Sequence, residues 1–467
     1  MTELDAGAAR RLIARLERLP MTPALWLLVC VAGGAWFVES LDIGAISVVL
    51  PVLTRLWHLT PGQVGLLATA STIGIVVGLI PAGRLADRYG RVNVLVWGMT
   101  AFGTLTLLSG FAPGYGALLV LRFLAGLGMG AVFPLPYAIV AEFVRKNRRT
   151  WLSGFLDAML SVGYFVAPLL GLVIVPALPA ALAWRVFLVV AGAPIVYAFF
   201  VRKHLPESPR WLLEHGRATE AEAVVARLEA HTARYVTLPE PSEADLPPVA
   251  AAPAVPWSRL AGRVVLGAAA ATGTFFMFYV VMTYTPTIFA AEGLSLPKSL
   301  AFAALVTAAA IPGKLLNGHL SETVGRKPVF VGFMGFAAVT ALLFGWLHQP
   351  LWLLADAMLM SFFGTGAFPG LKMYYAELFP TGARVTGAAA VESVARTLGG
   401  IVGAAFMPLA WHRWGIPVAF DIIGATAFAS LAILGLWGTE TRGLTLEAVQ
   451  ERLERRGRPA AVHGVRS

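Results

Sequence analysis

One cysteine, Cys30, stands in 467 residues, which excludes an internal disulfide and any cysteine-based metal site. Asparagine and glutamine are almost as scarce, present only as Gln63, Asn93, Asn147, Asn317, Gln349 and Gln450, and none falls at the middle of a long apolar stretch. Charged residues make up 13% of the chain against 57% hydrophobic residues, and the mean hydropathy is +0.73. Such a composition excludes an ordinary soluble enzyme. The eight histidines (His58, His204, His215, His231, His319, His348, His412 and His463) are scattered, with no nucleophile, base and orienting group together.

What the chain has is apolar length. A helix needs about 20 residues to cross about 30 Å of hydrocarbon. Twelve such spans are expected near 26–52, 61–82, 92–111, 115–140, 151–175, 185–201, 262–290, 298–317, 328–347, 350–376, 385–411 and 417–437. They divide the chain into an amphipathic N-terminus (1–25), a six-helix bundle (26–201), a linker with short helices (202–261), a second six-helix bundle (262–437) and a tail (438–467). The expected class is an all-α membrane protein. The formal net charge of +10 is topological. With both termini in the cytoplasm, about 28 Lys and Arg fall in cytoplasmic segments and about 4 outside, the positive-inside bias, and no basic domain is left to bind nucleic acid. Arg10, Arg11, Arg15 and Arg18 beside Leu12, Ile13, Leu16 and Leu19 suggest a basic amphipathic helix on the inner membrane surface rather than a signal peptide. Residues 220–228 read as a short helix, and the prolines from Pro239 to Pro256 as a stiff linker.

Two motifs recur at a constant offset of 235 residues. Gly83-Arg-Leu-Ala-Asp87-Arg88-Tyr-Gly90-Arg91 returns as Gly318-His-Leu-Ser-Glu322-Thr-Val-Gly325-Arg326-Lys327, and Ala141-Glu142 with Arg149 returns as Ala376-Glu377 with Arg384. A duplication in a membrane protein points to a transporter that rocks about a central site. The loop motif resembles that of the major facilitator superfamily. Arg122-Phe-Leu-Ala-Gly126-Leu-Gly128-Met-Gly130, Pro206-Glu207-Ser208-Pro209-Arg210, Tyr375-Ala-Glu377-Leu-Phe-Pro380 and Glu440-Thr-Arg-Gly443 resemble its sugar-porter and organic-ion branch. The expected cytoplasmic latches have Asp87 and Glu322 meeting helix N-termini and neighbouring arginines, among them Arg88. In the same latches Glu142 and Glu377 pair with Arg210 or with Arg91, Arg326 and Arg384. They either favour one conformation or simply fix loop geometry.

Ionisable residues inside spans are costly and therefore functional candidates. Glu39 and Asp42, three apart, share a face of the first span, and Arg122 in the fourth is the natural counter-ion. Two buried carboxylates side by side suit a group that binds and releases a proton during a cycle. In the resembling porters, positions matching Asp42 and Arg122 pair for proton coupling, and Glu39 matches the first acid of an Asp-x-x-Asp pattern of aromatic-acid symporters. Few amides argue against a sugar, while Thr274-Phe275-Phe276-Met277-Phe278-Tyr279 suits a flat ring. Lys314 and Arg396 lie in stretches similar to spans eight and eleven of organic anion transporters, implying an anion site, although Glu392, one helical turn away, is able to neutralise Arg396. Trp36, Tyr164, Phe278 and Tyr279 are the expected ring pocket, with Tyr374 and Tyr375 as further options; Lys372, Asp356 and Asp157 carry no assigned role.

Together with Val38-Glu39-Ser-Leu-Asp42-Ile-Gly44, these features look like bacterial niacin and aromatic-acid proton symporters. The resemblance implies import of a small aromatic carboxylate, nicotinate first and hydroxybenzoates next, across the bacterial inner membrane. A monomer is expected, with no cofactor and the proton gradient as energy source. A proton-coupled exporter is the alternative, but Gly163-Tyr-Phe-Val-Ala167-Pro168 lacks the glycine expected before Pro168 in antiporters.

Overall fold

A computed structural model describes residues 3–145, 149–238, 240, 257–380, 383–442 and 452, with 3–6, 149–150, 257–259 and 384–385 as backbone only. Among these residues there is no strand. The first half consists of α1 (Glu3–Glu17), α2 (Pro23–Trp57), α3 (Pro61–Tyr89), α4 (Arg91–Ser109), α5 (Tyr115–Val132), α6 (Leu135–Phe143), α7 (Arg149–Ala177), α8 (Ala180–Ala191) and α9 (Pro194–His204). Two short helices follow, α10 (Pro209–Glu214) and α11 (Ala218–Thr232). The second half consists of α12 (Trp257–Ala291), α13 (Leu296–Thr323), α14 (Arg326–Phe344), α15 (Pro350–Gly364), α16 (Phe368–Glu377), α17 (Arg384–Ala395) and α18 (Ala404–Trp437).

Eleven segments of the described residues are long and apolar enough to cross a membrane, and the last of them, Thr386–Trp437, is 52 residues long. At about 1.5 Å per residue such a helix would be more than twice the thickness of the hydrocarbon core. It does not run straight: Gly415 adopts φ 85° and ψ 166°, with Pro417 just beyond it. The chain reverses there, and two spans result, giving twelve crossings in two bundles of six.

Local chemistry sets the helix ends. Thr60 and Gln63 form a reciprocal capping box, so one of the few glutamines starts α3. Pro134 separates α5 from α6, and a 3-10 turn over Thr365–Ala367 precedes Phe368-Pro369 at the start of α16. Both the fourth and tenth spans are therefore broken near their middles, at matching places in the two halves.

The bundles meet where α7 packs on α13, α2 on α12, and α3 on α18. At the end opposite the repeated loop motifs the contact is tight, and a Cβ on Gly65 of α3 would run into the Ala405 carbonyl oxygen of α18. The amphipathic α1 differs from expectation. Leu12, Leu16 and Leu19 are buried against the protein, and the helix is tied to α10 and α11 by Arg15–Glu222 (2.7 Å), Arg18–Glu229 (2.6 Å) and Glu17–Arg210 (3.0 Å). Its apolar face is covered by this chain rather than laid on a bilayer, because the acidic α11 supplies the counter-charges a lipid surface would otherwise offer.

Candidate functional site

The broken helices converge on a small cavity between the halves. Its walls include Phe133 from the α5–α6 break, Asp157 and Leu160 of α7, Phe275, Phe278 and Tyr279 of α12, Lys314 of α13, Phe368 and Lys372 of α16, Glu392 of α17 and Arg396. Its volume of about 20 Å³ admits a water molecule, far below the few hundred Å³ of a typical ligand pocket. In this conformation the halves have closed around the centre, leaving only water-sized space.

Three cations enter this space, each near an aromatic ring; two pair with a carboxylate and the third with a backbone oxygen. Arg396 begins a π-helical stretch, Arg396–Gly403, and its Nη2 donates to Glu392 Oε1 at 2.5 Å, so the neutralising pair raised by the sequence forms. Its guanidinium carbon lies 3.6 Å from the centre of the Phe133 ring, and Nε and Nη1 are buried without a hydrogen-bond partner. Lys372 Nζ donates to Asp157 Oδ1 at 2.8 Å across the interface between the halves, and lies 5.0 Å from the Trp36 ring centre. Lys314 Nζ donates to the Asp157 backbone oxygen at 3.1 Å and lies 5.8 Å from the Phe278 ring. Cations over aromatic faces gain about 0.5–2 kcal/mol each, which offsets part of their desolvation.

The expected aromatic residues separate into two groups. Phe278 and Tyr279 line the cavity. Trp36 and Tyr164 sit behind it, Trp36 donating from its indole to the Phe133 carbonyl at 3.1 Å, and Tyr164 edge-on to Phe278 at 5.4 Å. Tyr375 donates to Glu392 Oε2 at 3.3 Å, whereas the Tyr374 hydroxyl accepts from the Thr439 amide at 3.2 Å and serves the tail instead. Sequence reasoning gave Asp157 and Lys372 no role, had Phe275 only within an aromatic stretch, and missed Phe133 and Phe368. Phe133-Pro134 and Phe368-Pro369 obey the 235-residue offset of the loop motifs, as do Asp157 and Glu392, so extending the repeat inward would have found four of the lining residues.

The carboxylate pair lies deeper in the first bundle. Arg122 Nη1 donates to Asp42 Oδ1 at 3.0 Å, both side chains are 0% exposed, and Arg122 Nη2 donates to the Thr106 hydroxyl. Glu39, on the same face of α2, is fully buried with neither oxygen hydrogen-bonded. Charges of both halves lie near it, among them Arg396 and Lys372 of the second and Asp42 of the first.

At the motif end, Glu142 pairs with Arg91 (3.3 Å) and Glu377 with Arg326 (3.1 Å), a matched set in the two halves. Arg210 instead holds Glu17. Asp87 and Glu322, expected at helix N-termini and beside arginines, are exposed, as is Arg88, and Asp87 offers only its backbone oxygen to the Trp211 indole at 2.8 Å. The place at the helix N-termini is taken by Glu207, which accepts from the amides of Arg91 (3.0 Å) and Val92 (3.1 Å), and by Glu440, which accepts from those of Arg326 (3.0 Å) and Lys327 (3.0 Å). The reason is dipolar: Asp87 and Glu322 occupy the C-terminal turns of α3 and α13, where carboxylates are disfavoured, while the open amides of α4 and α14 attract an anion. Gly90 and Gly325, at φ 102° and 139°, admit the carboxylates there, because a Cβ would collide with them. The Arg384 side chain and Gly443 lie outside the described residues.

Two pseudo-symmetric six-helix bundles, closed around a charged cavity at their interface and broken by proline at matching depths, define a membrane transporter rather than an enzyme. The chain belongs to the Major Facilitator Superfamily, whose family profile matches residues 25–316 and 298–462. It is similar to the niacin transporter NiaP of Acinetobacter baylyi, 29% identical over 94% of this chain and 99% of the relative. It is also similar to the 4-hydroxybenzoate transporter PcaK of Pseudomonas aeruginosa, 28% identical over 91% and 95% of the two chains. In fold it matches the xylose transporter XylE of E. coli in a partially occluded inward open conformation, with a TM-score of 0.76 at 17% identity over 91% of this chain and 100% of that one.

Proposed function

We propose that the chain is a proton symporter that imports a small aromatic carboxylate across the bacterial inner membrane, with both termini cytoplasmic. Nicotinate is the first candidate and hydroxybenzoates the next. The observation that carries this reading is the cavity itself, with Arg396, Lys314 and Lys372 set among Phe133, Phe275, Phe278, Tyr279 and Phe368. A flat anion satisfies both sets at once, the carboxylate on the guanidinium and ammonium groups and the ring between aromatic faces. The names of two relatives, a niacin and a 4-hydroxybenzoate transporter, point to the same class.

In this account Asp42 or Glu39 takes a proton from the outside while the carboxylate docks on the unpartnered nitrogens of Arg396. Loading both removes uncompensated charge from the centre and lowers the cost of closing it away from water. The bundles 26–201 and 262–437 then rock, the pairs Glu142–Arg91 and Glu377–Arg326 hold each bundle rigid at the cytoplasmic end, and proton and anion leave inward. One proton per monovalent anion makes the cycle electroneutral. A unit of pH then supplies about 1.4 kcal/mol, a tenfold accumulation.

The test is uptake of labelled nicotinate into proteoliposomes under an inward proton gradient, with benzoate, 4-hydroxybenzoate and xylose as competitors, in wild type and Arg396→Ala. Uptake that the aromatic acids inhibit, that xylose leaves alone, and that Arg396→Ala lowers at least tenfold is the expected result. Uptake untouched by Arg396→Ala, or inhibited by xylose alone, rejects the anion site.

A further inference from the structure

We propose that Asp157 is an internal stand-in for the substrate's carboxylate. In the empty carrier it holds Lys372 and so ties the two halves together; the arriving carboxylate takes Lys372 from it and releases the tie. This rests on the aromatic-carboxylate reading above and adds to it the residue whose partner is exchanged.

The charges around the cavity are unevenly shared. Arg396 is held by Glu392 of its own helix, four residues away, so a ligand that takes Arg396 breaks no ion pair between the halves. Lys372 on α16 is held by Asp157 on α7 at 2.8 Å, with side-chain exposures of 17% and 2%, a contact that crosses the interface. Lys314, from α13, leans on the same residue through its backbone oxygen at 3.1 Å. Two ammonium groups of the second half thus meet at one residue of the first, Lys372 on its carboxylate and Lys314 on its backbone oxygen, and among the described residues Lys314 has no carboxylate hydrogen-bonded to it. The other oxygen, Asp157 Oδ2, is buried with no hydrogen-bond partner, so the aspartate is replaceable at Lys372. A substrate carboxylate is a second anion for the two lysines, so that Lys372 is not left bare in the low-dielectric centre when Asp157 releases it.

Geometry places the exchange where the substrate lies. Lys372 Nζ sits 5.9 Å from the Phe133 ring centre and Arg396 lies 3.6 Å over the same ring, so one carboxylate above Phe133 is within the field of both. The positions of Asp157 and Glu392 correspond in the two repeats, yet one acid reaches across the interface and the other stays within its helix. A ligand shifts a two-state equilibrium only through contacts that differ between the states. Replacement of an inter-bundle partner by a mobile one is such a difference, and it makes the loaded carrier freer to rock than the empty one.

The experiment uses the full chain in nanodiscs, with binding of nicotinate and benzoate measured by calorimetry. Spin labels at Phe111 and Trp346, exposed at the end opposite the loop motifs, report the separation of the halves after Cys30→Ser. Asp157→Asn is expected to bind benzoate about tenfold tighter and to show, without ligand, the spread of separations that benzoate produces in wild type. Lys372→Gln is expected to lose binding at least tenfold and Lys372→Arg to retain it, which guards against a folding defect in any one variant. Wild-type binding with Asp157→Asn unchanged or weaker overturns the exchange while the carboxylate reading stands. No binding of either acid by wild type overturns both.

Discussion

Asp42 and Arg122 are each fully buried, so each depends on the other to compensate its charge. Removing one partner of such a pair costs about 3–5 kcal/mol, because the remaining ion is left bare. Arg122→Ala is therefore expected to lower the melting temperature in detergent well beyond Asp42→Asn, which leaves Arg122 the Thr106 hydroxyl and an amide oxygen. Small losses in both variants would mean that the pair contributes little. This pair was readable from the sequence, since an arginine and an acid within spans of one bundle have few other partners. Asp157 and Lys372 were not, because their partnership crosses between bundles over 215 positions. Phe133 and Phe368 were hidden differently: one phenylalanine among 27 carries no signal until the repeat register is extended to the prolines beside them.

Among the elements, α3 and α18 close the end opposite the loop motifs through the contact of Gly65 with the Ala405 backbone. Gly65→Leu has no room in this state, so the variant is expected to open that end and slow uptake at least tenfold, with benzoate affinity in detergent changed less than threefold. Uptake at the wild-type rate would show that this closure is not part of the cycle. The collar of α1 on α11 makes a separate claim. Burial pushes the Glu229 carboxyl up, but the hydrogen bonds from Arg15 and Arg18 outweigh it and hold the group below its ordinary value of 4.5. A carboxyl lowered on folding stabilises the collar at pH above 4.5, and this contribution disappears as the pH falls through the lower folded value. Hydrogen exchange over residues 8–19 should accordingly quicken in Glu229→Gln at neutral pH, and in wild type only on acidification. Unchanged exchange in the variant would leave α1 held by its leucines alone. The helical nature of α1 was evident from its periodicity, but its docking surface was not, since the acidic residues of α11 lie more than 200 positions away.

At the scale of the whole molecule, twelve spans and two matching halves were legible, because length, hydropathy and a constant repeat offset are properties of the chain itself. The state of closure was not. It depends on small differences between inter-bundle contacts such as Lys372–Asp157 and Gly65–Ala405, which no local pattern encodes. The contacts recorded here describe a carrier closed on its centre, and the account requires that proton and anion together let it open to either side. The most direct measurement is the steady-state accumulation of nicotinate in proteoliposomes held one pH unit more alkaline inside, with the membrane potential clamped to zero. The account predicts about tenfold accumulation in wild type, abolished by a protonophore, and none above equilibration when Asp42→Asn and Glu39→Gln are combined. Equilibration without accumulation in wild type, or accumulation that the double variant leaves intact, would contradict it.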